Sequence, residues 1–276
     1  MVEIGRYNSL EVVKLVDFGI YVDGGDRGEI LVPSRFVPSG TEVGNLLELF
    51  IYHDSEGRLI GTTQRATAQV GEFAVLQVKQ TTSKGAFLDW GLMKELLVPF
   101  KEQRTPLREG QRVLVYLYLD VLTERVVATT KVERYLADEP ATYERNAEVE
   151  VIIAAHTPIG FSCLVEEQHM GMLYHNELYT TLQLGERRKS YVKGVREDGK
   201  IDLSLRPVGY HQSTDAEQRI LQMLAEGDGF LALHDKSDPY EIQQALGCSK
   251  KQFKQIIGSL YRQRKITLAP DGIRLA

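Results

Sequence analysis

The feature that most constrains the fold of this chain is an internal repeat. Residues 19–33, GIYVDGGDRGEILVP, and residues 85–99, GAFLDWGLMKELLVP, have the same length and are identical at seven of fifteen positions. In each copy another glycine follows 25 positions after the first one, at Gly44 and Gly110. A fixed period of this kind is typical of tandem structural units, so the repeat is the first guide to the architecture.

A third and more diverged copy begins at Gly160. There GFSCLV opens the unit, MGMLYHNEL takes the place of EILVPSRF, and Gly185 again lies 25 residues after the first glycine. An interval that is preserved three times is not expected by chance. We therefore predict tandem units at residues 1–66, 67–133 and 146–209, with a polar linker at 134–145.

Each unit contains about five short β-rich segments separated by glycines and charged turns. In the third unit, KSYVKGVREDGKIDLSLR indicates two strands joined by a turn at Asp198-Gly199, which is a strong hairpin signal. Five strands in a unit of this length, without a long helix, fit a small closed barrel of the OB type. Closure also removes exposed sheet edges, which are aggregation hazards.

After residue 211 the pattern changes to helices and a hairpin. AEQRILQMLAE has apolar residues on one helical face, Asp238 and Gly247 bound a second helix, and Ser249 caps a third. ITLAPDGIRLA then indicates two strands around a Pro-Asp-Gly turn. Three helices and a hairpin describe a winged helix, which we predict at 212–276. The predicted fold class is mostly β, with three tandem OB-fold barrels followed by this C-terminal α+β domain.

The composition is that of a folded soluble protein, with 43% hydrophobic residues, 26% charged residues and a net charge of −5. No apolar run approaches the roughly 18 residues that cross a bilayer, and the start of the chain lacks signal-peptide features. We therefore expect a cytoplasmic protein without a membrane partner. Cys163 and Cys248 form no CxxC motif and are expected to be reduced, buried thiols.

Sequence motifs for catalysis are missing. His156, His169 and His175 lie close together in sequence but match no metal-ligand spacing. The GGDRGE segment precedes no helix, so it is not a phosphate loop. No Gly-x-Ser-x-Gly, HExxH or Walker pattern occurs. We therefore predict a protein that is not an enzyme and has no catalytic residue, metal or cofactor.

Aromatic residues stand beside the glycine that opens the first two copies. Small barrels of the OB type bind single strands on the face of their second and third strands, through aromatic platforms and nearby cations. Phe18 and Tyr21 flank Gly19, and Phe87 stands in the position of Tyr21. Strand alternation puts residues 18 and 21 on opposite faces, so one of these rings belongs to the core unless a bulge intervenes. Ordinary barrel core is the competing interpretation for each ring.

The third copy resembles the S1 RNA-binding domain in MGMLYHNEL, YVK and DLSLR, and VDFGIYVD in the first copy resembles the glycine–aromatic strand of the same family. The order of the whole chain, with three S1-like barrels, an RPVGY junction and a terminal winged helix, resembles the conserved virulence factor B (YitL-like) family. This resemblance covers essentially all of the chain. It implies a bacterial cytoplasmic RNA-binding protein that influences gene expression after transcription.

The resemblance also implies roles for individual residues, with rings stacking on bases and cations near phosphates. S1 domains usually have a histidine on this face, and the corresponding residues here are taken to be Val32, Val98 and Tyr174. The first two copies are therefore expected to bind RNA weakly or to act as spacers or protein-contact modules. The implied RNA-binding residues are Phe18, Tyr21, Lys84, Phe87, Tyr174 and Arg206.

Charge is distributed unevenly along the chain. Residues 1–66 carry 6 basic and 10 acidic residues, whereas residues 249–265 carry six basic and no acidic residues. The latter cluster lies on the helix that enters a groove in helix-turn-helix proteins, which favours nucleic-acid contact, although a charge run is more often a solvated face. The predicted contact residues of the winged helix are Lys250, Lys251, Lys254 and Arg262.

These features favour a post-transcriptional regulator that holds single-stranded RNA by stacking and phosphate contacts. Two alternatives stay open. One is a regulator that binds duplex DNA through the winged helix, and the other is a scaffold whose acidic barrels bind another protein. The aromatic strands favour RNA, whereas the acidic first and third units favour the scaffold.

Overall fold

The computed structural model describes residues 1–175, 178, 180–207 and 212–276. The RPVGY junction at 206–210 and the YHNEL segment at 174–178 lie partly outside the described residues. The described chain divides into two compact units, Met1–Leu205 and Arg206–Ala276. The first consists mainly of β-strands and the second of helices with a small sheet, which confirms the predicted fold class.

The described residues of the first unit form three closed five-stranded barrels. In each barrel the strand order is first, second, third, fifth, fourth, and the third and fifth strands pair in parallel. Barrel 1 consists of β1 (Tyr7–Val16), β2 (Gly19–Asp23), β3 (Glu29–Pro33), β4 (Leu46–His53) and β5 (Leu59–Thr62). Barrel 2 consists of β6 (Phe73–Thr82), β7 (Gly85–Asp89), β8 (Leu96–Pro99), β9 (Arg112–Leu119) and β10 (Val126–Thr129). Barrel 3 consists of β11 (Glu148–Thr157), β12 (Gly160–Val165), β13 (His169–Tyr174), β14 (Arg187–Val195) and β15 (Ile201–Ser204).

The first glycine of each repeat is required where the second strand of the barrel meets the third. A Cβ atom on Gly19 would collide with the carbonyl oxygen of Val32 on β3. A side chain at this position would push the two strands apart, so the close approach needs glycine. The equivalent pairs are Gly85 with Val98 and Gly160 with Leu173.

The second glycine of each repeat accounts for the constant interval of 25 residues. Gly44 has a φ of +90°, in the left-handed region, and its N–H donates to the carbonyl oxygen of Val12 at 2.8 Å. Val12 lies at the bulge of β1, where the strand bends to close the barrel. The same bond, again at 2.8 Å and again at a bulge, joins Gly110 to Val78 and Gly185 to Ile153.

The hydrophobic core of barrel 2 extends onto residues on the outside of barrel 1, whose own interior forms a separate cluster. The ring of Phe50 on β4 packs edge-to-face against Tyr7 and Trp90, with centroid distances of 5.3 and 5.4 Å. Trp90 is only 2% exposed and donates its indole N–H to the carbonyl oxygen of Lys94. The Lys94 ammonium donates in turn to the carbonyl oxygen of His53 at 2.6 Å. Aromatic packing and backbone hydrogen bonds therefore hold the two barrels together.

A second cluster joins barrels 2 and 3. Phe73 of β6 packs with Ile152 of β11 and Leu164 of β12. In the segment between the barrels, the ring of Tyr135 stacks on Tyr116 of β9 with centroids 3.8 Å apart. The first unit is therefore a continuous packed array rather than a set of independent barrels.

The second unit is a winged helix. Asp238 accepts a hydrogen bond from the N–H of Tyr240 at 2.7 Å, and Gly247 ends the second helix in the left-handed conformation, as predicted. Ser249 and Gln252 form a capping box at the start of the third helix. The elements are α1 (Gln212–Glu226), β16 (Phe230–Leu231), α2 (Pro239–Leu246), α3 (Lys250–Arg262), β17 (Ile266–Ala269) and β18 (Gly272–Leu275).

The strand β16 is an addition to the predicted hairpin. Leu231 pairs with Ile273 of β18, and the Arg274 guanidinium lies 4.4 Å from the ring centroid of Phe230. A strand of two residues is too short to show the alternation that identifies strands in a sequence. Its formation depends on the hairpin being present as a template.

Replacing Gly85 by alanine is expected to destabilise the chain more than replacing Gly110 by alanine. Gly110 has open space around it, so alanine adds only left-handed backbone strain, about 1–2 kcal/mol. Gly85→Ala adds a collision with the β8 backbone, which costs about 1–3 kcal/mol more. Urea unfolding followed by the fluorescence of Trp90, the only tryptophan in the sequence, measures the difference. Gly194, which has open space and no positive φ, gives the control variant Gly194→Ala, and equal midpoints for all three variants would contradict this account.

Candidate nucleic-acid interface

On barrel 1, the rings of Phe18 and Tyr21 both reach the surface. Tyr21 alternates with the buried Ile20 and Val22 along β2 and therefore points outward. Phe18 lies in the turn before β2, where strand alternation does not apply, and is 58% exposed. The expectation that one of these rings belongs to the core is therefore wrong. Their centroids are 6.3 Å apart at an interplanar angle of 86°, which is an edge-to-face pair.

Lys14 adds a cation to these rings, and we call Lys14, Phe18 and Tyr21 the barrel 1 face. Lys14 pairs with Tyr21 across β1 and β2, and its Nζ lies 5.6 Å from the Tyr21 ring centroid. A cation at this distance is attracted by the ring. A search for aromatic residues misses Lys14. The signal that identifies it is the tight β1–β2 turn, which sets residues on either side of it opposite each other.

On barrel 2, Phe87 takes the register position that Tyr21 has in barrel 1. It is half-buried, points outward and pairs with Leu97 of β8. Lys84 is exposed in the turn before β7, at the position of Phe18. The structure brings Phe87 and Lys84 together as lining residues of one cavity of about 220 Å³. This ring and this cation therefore lie in a recess rather than on an open face.

On barrel 3, the hydroxyl of Tyr174 at the end of β13 donates to Asp202 Oδ1 at 3.1 Å. Arg196 forms an ion pair with the same oxygen at 2.9 Å, and its guanidinium lies 5.7 Å from the Tyr174 ring centroid. We call Tyr174, Arg196 and Asp202 the barrel 3 face. Ser162 has the register position of Tyr21, so the ring of this barrel is on the third strand instead of the second. Arg196 and Asp202 were not predicted, although both flank the predicted Asp-Gly turn.

The strand registers correct one equivalence. The spacing of the repeats makes Val32 and Val98 the equivalents of Tyr174. In the structure, however, both valines are fully buried on the inner side of their barrels. A shift of one residue exchanges the two faces of a strand, which is why spacing alone gives the wrong match. The residues that pair with the first glycine of each repeat are Pro33, Pro99 and Tyr174.

The second unit contains the remaining predicted cations. Arg206, two residues beyond β15, is half-buried and is the first residue of this unit. Lys250 is half-buried and donates to a backbone carbonyl at 2.8 Å, and Arg262 donates to the carbonyl of its own helix at 3.2 Å. Lys251 and Lys254 are exposed on α3. Among the cations of α3, these two lysines therefore have their charge in solvent, and neither forms a hydrogen bond with the described residues.

The three histidines of barrel 3 are only partly brought together. The rings of His156 and His175 lie 5.0 Å apart and both contact Phe161 edge-to-face. His169 is engaged elsewhere, 3.2 Å from the Tyr143 hydroxyl. Among the described residues, no group of three or more side chains is arranged to hold a metal ion.

The two cysteines are buried, and neither forms a disulfide. Burial raises the pKa of Cys163 to about 12. Burial also raises the pKa of Cys248. Since the thiolate is the reactive form, both thiols are poor nucleophiles at neutral pH.

Closed five-stranded barrels with surface rings beside cations, in one chain with a winged helix, define a nucleic-acid-binding protein. The S1 domain model matches residues 4–64 and 70–131, and the CvfB-like winged helix domain model matches residues 218–275. The chain is a homologue of proteins named conserved virulence factor B, which match 99% of its length at 26–28% identity. The matched domain families are nucleic-acid-binding modules and not enzyme families.

Relatives match the chain over nearly its whole length. Conserved virulence factor B of Staphylococcus saprophyticus is 26% identical, with 99% of this chain and 94% of the relative covered. The protein of the same name from Staphylococcus aureus strain N315 is 28% identical, with the same coverage. A solved structure from Streptococcus pneumoniae, a multidomain protein with nucleic acid binding domains, is 26% identical, with 99% of this chain and 98% of that chain covered and a TM-score of 0.45. In the described part of the chain, no helix has the length and apolar character needed to span a membrane.

Proposed function

We propose that the chain binds single-stranded RNA and regulates bacterial gene expression after transcription. It holds RNA without catalysis, by stacking bases on surface rings and by placing cations near phosphates. The observation that carries the proposal is the barrel 1 face, where Phe18 and Tyr21 stand at the surface with the Lys14 ammonium beside them. Covering an exposed ring with the face of a base removes apolar surface from water and is therefore favourable.

The barrel 3 face supports a second contact. Asp202 bonds both the Tyr174 hydroxyl and the Arg196 guanidinium, so the ring and the cation are held side by side before a ligand arrives. Groups that are already ordered lose less entropy on binding. Because Asp202 offsets the charge of Arg196, this face contributes stacking and hydrogen bonds more than net positive charge.

The packing of the first unit favours binding of an extended strand. Two hydrophobic clusters join barrel 1 to barrel 2 and barrel 2 to barrel 3. A strand bound at one barrel therefore stays near the next, and weak contacts at separate faces combine. Single strands are favoured because their bases are free to stack on side chains, whereas the bases of a duplex already stack on each other.

Fluorescence anisotropy of the full chain with a labelled single-stranded RNA, the matched DNA and the matched RNA duplex tests the proposal. The single-stranded RNA is expected to bind more tightly than the duplex. Affinity is expected to fall with salt by a logarithmic slope of about −0.7 for each phosphate contact. Absence of binding to single-stranded RNA at low salt would rule out the proposed function.

The contribution of the barrel 1 face is measured in the same assay. Phe18→Ala is expected to weaken RNA binding about 5- to 140-fold, because stacking on an aromatic side chain contributes about 1–3 kcal/mol per base. Leu122, which is 93% exposed in the turn between β9 and β10, supplies the control variant Leu122→Ala. An equal loss in both variants would show that exposed apolar area, and not stacking, determines the affinity.

A second candidate function is binding of duplex DNA through the winged helix. Lys251 and Lys254 favour it, because they are exposed on α3, the helix that enters the major groove in proteins of this class. Gly258 lies two turns further along the same helix, and no atom of the described chain would contact a Cβ atom there. A glycine inside a helix costs about 1 kcal/mol relative to alanine, so internal packing does not account for it. A close approach of the DNA backbone to α3 would account for this glycine.

Replacing Lys251 and Lys254 together by alanine in the full chain tests this second candidate. If α3 contacts duplex DNA, the double variant binds the duplex more weakly and with a logarithmic salt slope smaller by about 2. The same variant is expected to keep its affinity for single-stranded RNA, which the barrels hold. Unchanged affinity for duplex DNA, measured by anisotropy, would eliminate this candidate.

A further inference from the structure

A cavity of about 220 Å³ lies at the junction of barrels 1 and 2, and we call it the junction cavity. From barrel 1 it is lined by the end of β4 and the loop that follows. From barrel 2 it is lined by β7, β8, the start of β10 and the turns beside them. Its lining residues include His53, Ser55, Lys84, Phe87, Trp90 and Arg125.

One wall of the junction cavity is apolar and fixed. Phe87 pairs with Leu97 across β7 and β8, and Leu97 pairs with Val127 across β8 and β10, so the three side chains form a row on one face. Trp90 lies in the core shared by the two barrels, and its indole N–H is bonded to a backbone carbonyl. A wall of this kind offers a flat apolar surface that does not need to be ordered by a ligand.

Cations stand at the same cavity. Lys84 and Arg125 are exposed, and neither forms an ion pair within the described part of the chain. Lys94 differs from them, because its ammonium donates to two backbone carbonyls and burial lowers its pKa. Glu95 accepts a hydrogen bond from Gln80 at 2.6 Å. Lys84 and Arg125 are therefore the cations of this cavity that remain available to an anionic ligand.

His53 adds a polar group to the wall from barrel 1. Burial lowers the pKa of His53, so the ring is neutral at neutral pH. Its Nδ1 is buried and has no hydrogen-bond partner among the described residues. That nitrogen is closed to solvent, so His53 contributes a neutral wall and makes no hydrogen bond to a ligand in the cavity.

We propose that the junction cavity is a subsite for one nucleobase of a bound RNA strand, an inference that rests on the proposed function. The base stacks on Phe87, and Lys84 and Arg125 contact the phosphates attached to it. The volume is below the roughly 300–1,000 Å³ of pockets that hold drug-sized ligands, which suits a single ring system. The ring of Phe87 favours a ligand with an aromatic ring that can stack on it. Lys84 and Arg125, which form no ion pair among the described residues, favour a ligand that carries phosphates.

The subsite is incomplete in either barrel alone. Phe87 and Lys84 belong to barrel 2, whereas His53 and Ser55 belong to barrel 1. The shared core that contains Trp90 holds these two walls in place. Barrel 2 thereby gains a recessed base subsite, although its surface lacks the open pair of rings seen on barrel 1.

Trp90 gives this subsite its own reporter, because it lines the cavity and is the only tryptophan in the sequence. Saturating the full chain with single-stranded RNA is expected to change the Trp90 emission. Phe87→Leu keeps the wall apolar but removes the ring, so it is expected to abolish that change and to weaken RNA binding about 5- to 140-fold. Ser55→Phe, at an exposed position on the rim, is expected to abolish the emission change by filling the cavity without altering the core.

Tyr21→Leu is the matched control, because Tyr21 has the register position of Phe87 on barrel 1. It is expected to weaken RNA binding but to keep the Trp90 response at saturation. If RNA binds by anisotropy while the Trp90 emission stays constant, or if Phe87→Leu binds RNA as tightly as the unaltered chain, the base subsite is disproved and the proposed function stands. If the unaltered chain binds no single-stranded RNA, the proposed function itself fails.

Discussion

The hydrogen bond from a left-handed glycine to the bulge of the first strand is the interaction on which each barrel depends. In barrel 1 it joins the N–H of Gly44 to the carbonyl oxygen of Val12 at 2.8 Å. The bulge bends β1, so that one strand pairs with β2 at one end and with β4 at the other, which closes the sheet. Once the sheet is closed and Gly19 lies against β3, the register is set and Tyr21 must point outward.

The packing between barrels determines how each copy differs in its exposed surface. Outward-facing residues of barrel 3, such as Leu164, pack against barrel 2, and Trp90 of barrel 2 packs against barrel 1. What remains differs from copy to copy. Barrel 1 keeps an open pair of rings, barrel 2 has a recessed ring at the junction cavity, and barrel 3 has a single tyrosine held by Asp202. Copies of one fold therefore present different exposed surfaces.

The sequence predicted the features that depend on local chemistry. The repeated glycines marked the three tandem units, and Asp238 and Ser249 marked helix starts. Features that depend on strand pairing were missed or misplaced. Lys14 was missed because it contacts the Tyr21 ring from the neighbouring strand. Val32 was treated as the equivalent of Tyr174, which is a shift of one residue and exchanges the inner and outer faces of the strand.

The junction cavity was beyond prediction for a related reason. Its walls come from chain segments about 30 residues apart that meet only because aromatic rings of two barrels share a core. Spacing within one repeat contains no information about packing between repeats. The predicted residues Lys84 and Phe87 were therefore identified by type and position, whereas their enclosure by His53 and Ser55 required the three-dimensional structure.

We infer that one packed array of barrels presents several surfaces to a single strand of RNA. Ultraviolet crosslinking of single-stranded RNA to the full chain, followed by mass spectrometry of the crosslinked peptides, tests it most directly. Crosslinks are expected in all three barrels, at Phe18 or Tyr21, at Phe87 and at Tyr174. Crosslinks confined to residues 212–276, with none in the barrels, would contradict it.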